Sequence, residues 1–144
     1  MKKYHDLIKN LLSNSRTQVK PSRSSVFAIS RFGNYTEYDL SKGFPLVSTR
    51  KINFNNIVTE LLWFLKGETN IGYLHQNNVH IWDKWANVNG ELGRVYGSQW
   101  CDWKTSDGKS INQIQKVIDS IKSDPYSKRH IVSAWNPGEI EEMA

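Results

Sequence analysis

The residue types best suited to chemistry in this chain are one carboxylate in an apolar helix, a tryptophan pair, a phenol and a few loop cations. Glu60 stands in the most apolar stretch, between Val58 and Leu61. A carboxylate there either reaches solvent or is buried with partners that make it a candidate acid or base. The helical repeat alone favours a solvent-facing Glu60. Trp82 and Trp85, three residues apart, suit a stacking wall for a planar heterocycle, although tryptophans at this spacing ordinarily fill a core. Tyr96 is either a hydrogen-bonding phenol or filler. Arg23 in a basic loop, and the adjacent Lys128 and Arg129 leading into a β-prone run, are placed to bind an anion. Arginine offers the planar fork that matches phosphate, while the plain alternative for each cation is a solvated charge. Cys101, between Trp100 and Asp102, lacks a neighbouring His or Lys to activate it and reads as inert. As the only cysteine it allows no internal disulfide. His5, His75, His80 and His130 look scattered without ligand-like pairing, so no metal is implied.

These groups need elements to hold them. Tyr4, Leu7, Ile8, Leu11 and Leu12 recur at helical spacing and predict a helix over 2–14. Residues 13–25 are polar and basic with Pro21 inside, and read as a loop. Two strands, 26–30 and 35–40, are expected about a turn at 31–34, with a brief extended piece at 46–49. Ile57, Val58, Leu61, Leu62, Phe64 and Leu65 predict a helix apolar over too wide a surface to lie on the outside, ended at Gly67. Asn70 is a candidate cap for a further helix through Leu74. The stretch 80–103 reads as irregular and aromatic, of the kind that covers a core or lines a pocket. Ile111, Ile114, Val117, Ile118 and Ile121 mark another amphipathic helix, stopped by Asp124-Pro125, and 131–135 is a β-prone run. Strands and helices without strict alternation indicate an α+β fold, a mixed β-sheet flanked by helices.

Composition adds limits. Six Trp, six Tyr and five Phe carry too much aromatic weight for a disordered chain. No apolar run approaches the roughly 18 residues of a membrane span, and no apolar signal core follows Met1-Lys2-Lys3, so a cytoplasmic protein is expected. The net charge of +5 is uneven: ten Lys or Arg face three Asp or Glu in residues 1–51, and nine face eleven in 52–144. A basic front invites a phosphate-bearing partner but does not name one.

Five collinear segments together resemble the thymidylate synthase family. They are Asp39-Leu40-Ser41-Lys42-Gly43-Phe44-Pro45-Leu46-Val47, Glu60-Leu61-Leu62-Trp63-Phe64-Leu65-Lys66-Gly67-Glu68-Thr69-Asn70 and Ile81-Trp82-Asp83-Lys84-Trp85, then Gly93-Arg94-Val95-Tyr96-Gly97-Ser98-Gln99-Trp100 and Asp124-Pro125-Tyr126-Ser127-Lys128-Arg129-His130-Ile131-Val132-Ser133-Ala134-Trp135-Asn136. The resemblance implies an α+β homodimer with shared active sites that makes dTMP from dUMP. Methylenetetrahydrofolate is its one-carbon and hydride donor, and an enzyme cysteine adds to the pyrimidine ring. Arg23 then resembles the loop arginine that closes on the dUMP phosphate, and Lys128 and Arg129 the basic pair that reaches the partner's phosphate. Glu60, against the solvent-facing expectation, resembles the catalytic glutamate that organises water and protons. Ile81 and Trp82, with Trp85 nearby, resemble the folate pocket's walls, Trp82 counting with Glu60 and Tyr96 among the catalytic residues, and Tyr96 resembles the phenol near the departing ring proton.

The chain departs from the family's pattern in places. Ser24-Ser25-Val26-Phe27 follows Arg23, Asn53 stands where a folate-contacting histidine is usual, Lys128 replaces the first of two arginines, and Arg50-Lys51 is reversed. The family's nucleophile falls a few positions past Ala144 in a Pro-Cys-His setting, so residues 1–144 are expected to be the amino-terminal portion of a single domain, inactive alone. A related pyrimidine-nucleotide hydroxymethylase is the nearest alternative. A nucleotide- or nucleic-acid-binding remnant is another, although the tryptophans lie away from the basic front. A chain that exposes strand edges and apolar faces, and so has no stable life alone, is a third.

Overall fold

The computed structural model describes residues 2–14, 16–22 and 26–141, which fall into two compact units, Met1–Ile52 and Asn53–Ala144. Both are built of helices and small antiparallel sheets, an α+β arrangement. None of the described helices is long and apolar enough to cross a membrane.

In the first unit, helix α1 spans Lys2–Ser13 as its apolar spacing predicts. Strands β1 (Gln18–Pro21) and β2 (Phe27–Ser30) pair antiparallel, with Val19 opposite Ile29 and Lys20 opposite Ala28. The partner of β2 is thus part of the stretch read as loop, while 35–40 forms no strand. Pro21 lacks a donor but sits at the end of its strand, where the ladder tolerates it. At the end of 35–40, Asp39 diverts the chain: its carboxylate accepts from the Ser41 amide and hydroxyl and opens a 3-10 turn at Leu40–Lys42. No described residue of this unit is buried.

The second unit contains the core. Helix α2 (Phe54–Leu65) begins where the Asn53 side chain accepts from the Asn56 amide, and ends at Gly67, whose φ of 73° is the left-handed conformation glycine adopts freely. Helix α3 is Gly72–Gln76, its start tied by Asn70 Oδ1 accepting from the Gly72 amide at 2.8 Å. Helix α4 (Tyr96–Cys101) arises inside the stretch read as irregular, and buries Gly97, Ser98 and Gln99. Strands β3 (Trp103–Lys104) and β4 (Ser110–Ile111) form a hairpin whose turn contains Asp107-Gly108, and α5 (Gln113–Ser123) ends at Asp124 as expected.

Trp63, Ile71, Leu74, Val79, Leu92 and Val95 make one buried cluster, and Trp63 also donates its indole N–H to the Asn70 carbonyl at 2.9 Å. Helices α2 and α4 meet closely at Gly97, where an added Cβ would lie 2.9 Å from the Glu68 carbonyl oxygen. Here the expectation that α2 is central needs correction. It buries Thr59 and Trp63, yet Ile57, Val58, Leu61, Leu62 and Leu65 remain 37–48% exposed because the other elements of its unit cover one side only. The run 131–135 is likewise not a strand. The Gln113 side chain replaces a neighbouring strand there, accepting from the Ser133 amide at 2.9 Å and donating to the Ser133 carbonyl at 2.8 Å.

Candidate functional site

Helix α2 and the turn that follows α3 bring the principal candidates together. Glu60 lies on the flank of α2 one residue beyond buried Thr59, so its carboxylate emerges at the border of the core. Trp82, 22 residues later, donates its indole N–H to Glu60 Oε1 at 2.7 Å. Glu60, Ile81, Trp82 and Trp85 line one cavity of about 330 Å³. Trp82 is half-buried among rings, with Trp63 and Trp85 each at 5.8 Å and Phe64 and Tyr96 each at 6.1 Å between centroids. These contacts are edge-on or tilted, the geometry favoured by aromatic quadrupoles, and they fix the indole that holds the carboxylate. The solvent-facing expectation for Glu60 is therefore wrong in its consequence: the group is half-buried and tethered.

Tyr96 begins α4 with its ring against Phe64 at 5.4 Å and Trp135 at 6.2 Å. Glu60, Ile81, Trp82 and Trp85 thus form one site, and Tyr96 adjoins it through Trp82 and Phe64. Lys128 and Arg129 lie apart from that cavity, exposed in the loop after α5, where they line a second hollow with Asp124, Tyr126 and Ser127. The Arg129 amide donates to Ser127 Oγ at 3.2 Å, which shapes this loop. Asn53 is occupied as the cap of α2. Arg23 falls outside the described residues.

Cys101 behaves as its setting suggests. Its thiol points at the Leu65 and Phe64 carbonyls, 3.4 and 3.7 Å away, and burial pushes the thiol up from its ordinary value. A thiol held in its neutral form is a poor nucleophile.

Two groupings are absent from the sequence reading. Arg94 Nε donates to both Glu139 oxygens at 2.8 Å, and fully buried Gln99 adds its amide to the same carboxylate at 2.5 Å. The Gln99 hydrogen bond, and after it Arg94, hold the Glu139 carboxyl below its usual range. The second grouping revises the view that the histidines are scattered: His75 and His80 converge on Asp83, and the hydrogen bond from His75 chiefly lowers that carboxyl. The spacing of a histidine five residues before a second, and an aspartate three further on, was its only sequence signal.

The Glu60 carboxylate, tethered by the Trp82 indole, thus stands at the edge of a cavity walled by aromatic rings. Comparison with known proteins agrees with the motifs. The profile of the family described as thymidylate synthase matches residues 2–144, and the chain belongs to that family. A thymidylate synthase of Buchnera aphidicola subsp. Schizaphis graminum (strain Sg) is 50% identical over 144 residues, covering 100% of this chain and 54% of that protein. The chain spans about half the length of this curated relative.

Proposed function

We propose that this chain supplies the folate-facing wall and the proton-handling carboxylate of an enzyme that makes dTMP from dUMP, with methylenetetrahydrofolate as one-carbon and hydride donor. The observation that carries the reading is the Trp82-to-Glu60 hydrogen bond inside the cavity of Ile81, Trp82 and Trp85. The indole fixes one carboxylate oxygen, so the group is oriented before substrate arrives and little reorganisation remains for the reaction. A planar pterin stacks on the tryptophan faces, and Glu60 relays protons through water to the bound rings. Tyr96, beyond Trp82, lies near the proton that leaves the pyrimidine.

Lys128 and Arg129 contact the dUMP phosphate of a second copy, a role supported by their adjacency and exposure in one shaped loop. The parts given to Arg23 and Asn53 rest on the motif resemblance alone. Both units belong to one domain of a cytoplasmic homodimer. Residues 1–144 by themselves do not turn over, because their single thiol, Cys101, is packed against α2 in its neutral form.

Adding 5-fluoro-dUMP and methylenetetrahydrofolate to the 144-residue chain tests both parts. Folate is expected to quench tryptophan emission saturably, and W82A to lose that quenching, with no covalent nucleotide adduct by mass spectrometry. An adduct would overturn the inactivity. Quenching that is absent, or unchanged in W82A, would overturn the folate site.

A further inference from the structure

Residues 74–83 fold as a support for two imidazoles. Leu74 and Val79 are fully buried in the core, and the Val79 amide donates to the Leu74 carbonyl at 2.9 Å. Between them the chain reverses through Asn78, at φ 56°, whose amide donates to the His75 carbonyl. Each buried anchor is followed by a histidine, so the reversal that seats Leu74 and Val79 also sets His75 and His80 side by side on the surface. Their ring centroids are 4.7 Å apart at an interplanar angle of 38°. Asp83, whose amide faces the His80 carbonyl across the next turn, meets both rings. Its Oδ1 lies 2.7 Å from His75 Nε2, and its Oδ2 lies 3.1 Å from His80 Nδ1.

We infer that His75, His80 and Asp83 form a binding site for a divalent transition-metal ion of the zinc class. One atom from each residue lies within 4.8 Å of the others. Donors held around one zinc ion at bonds of about 2.1 Å stand about 3.4 Å apart, so small rotations of these exposed side chains close the set. Two imidazole nitrogens and one carboxylate oxygen match zinc, cobalt, nickel or copper in donor type, and they disfavour magnesium and calcium, which prefer oxygen alone. Three protein donors leave the fourth tetrahedral position to water. The metal replaces the hydrogen bonds that now join each ring to Asp83, using the same ring nitrogens. The backbone matters most here, because the residue before each histidine is anchored in the core and only side-chain rotation remains for the ion to impose.

Titrating the 144-residue chain with zinc chloride against a chromophoric chelator tests the assignment. One equivalent of zinc is expected to bind, with H80Q and D83N each weakening affinity at least about tenfold and H5Q leaving it unchanged. Cobalt(II) provides an independent readout: visible d–d bands of a tetrahedral nitrogen–oxygen set in the parent chain, lost in H80Q. Failure to bind one equivalent of zinc saturably, or equal affinity in H80Q and parent, would overturn the site. If a variant fails to fold, the cobalt spectrum of the parent decides alone, and absent bands overturn the assignment.

Discussion

Residues 1–52 and 53–144 are stabilised by different means. The first unit rests on a helix, a hairpin and scattered hydrogen bonds, such as an exposed one from Arg31 to Asn10 Oδ1 and a part-buried one from Thr17 to the Leu11 carbonyl, with no described residue buried. The second encloses Trp63, Leu74, Val79 and Val95 almost completely and ties Glu139 back to Arg94 and Gln99 in its middle. Burial of each such apolar side chain contributes about 1.5–3 kcal/mol, whereas exposed polar contacts contribute far less. The first unit carries the basic front, ten Lys or Arg against three Asp or Glu in residues 1–51, with no described residue buried beneath it. In the second, the Glu60 carboxylate has a fixed geometry because α2 and the turn at 81–85 sit on a packed core.

The largest test of that contrast is truncation of one aromatic residue in each unit. Trp63→Ala removes a fully buried ring and its bond to Asn70, and is expected to cost about 3–5 kcal/mol. Phe32→Ala removes a fully exposed ring and should stay within about 0.5 kcal/mol. Urea denaturation followed by far-ultraviolet circular dichroism, which reads the helices of both units, measures both, and equal effects would break the distinction.

A smaller effect comes from glycine. Gly97→Ala forces a Cβ against the Glu68 and Phe64 carbonyls, whose backbone has little room to give, and is expected to cost about 1–3 kcal/mol. Gly33→Ala meets no atom within 4 Å and pays only for its positive φ, about 1 kcal/mol. A Gly97 variant as stable as the parent would show that α2 and α4 do not need their close approach.

Acid provides the finest comparison. A lowered carboxyl contributes stability that is complete above the unfolded value, about 4.3 for a glutamate, and is lost as pH falls through the lower folded value. Glu139 is such a group, held by Gln99 and Arg94, so the second unit should weaken on acidification below about pH 4 and E139Q should flatten part of that loss. Asp39 in the first unit is also lowered, mainly by Ser41 and then Lys42, but it is exposed and bonded only within its own turn. Asp39→Asn is therefore expected to leave the denaturation midpoint unchanged across the same range. Identical pH profiles for E139Q and the parent chain would sink the prediction.

What was legible beforehand was what neighbours in sequence decide. Periodic apolar residues set α1, α2 and α5, Gly67 and Asp124-Pro125 stopped their helices, and the motif around Glu60 and Trp82 identified the family. The misses share a cause. Strand β1 was hidden because Gln18-Val19-Lys20 has no alternating apolar pattern and becomes a strand only by pairing with β2. The run 131–135 has the β-prone residues yet finds the Gln113 amide instead of a strand. Helix α4 is too short for a periodic signal, and forms where Gly97 lets it lie on α2.

The candidate site divides in the same way. The sequence by itself determined the residue types, the family and the fixed spacing of each motif, because those depend only on covalent order. Tertiary structure decided that Trp82 reaches back 22 residues to hold Glu60, and that two histidines beside buried Leu74 and Val79 share one aspartate. Such contacts are set by which side chains a core admits and which it turns outward, and that choice exists only once distant segments have packed together.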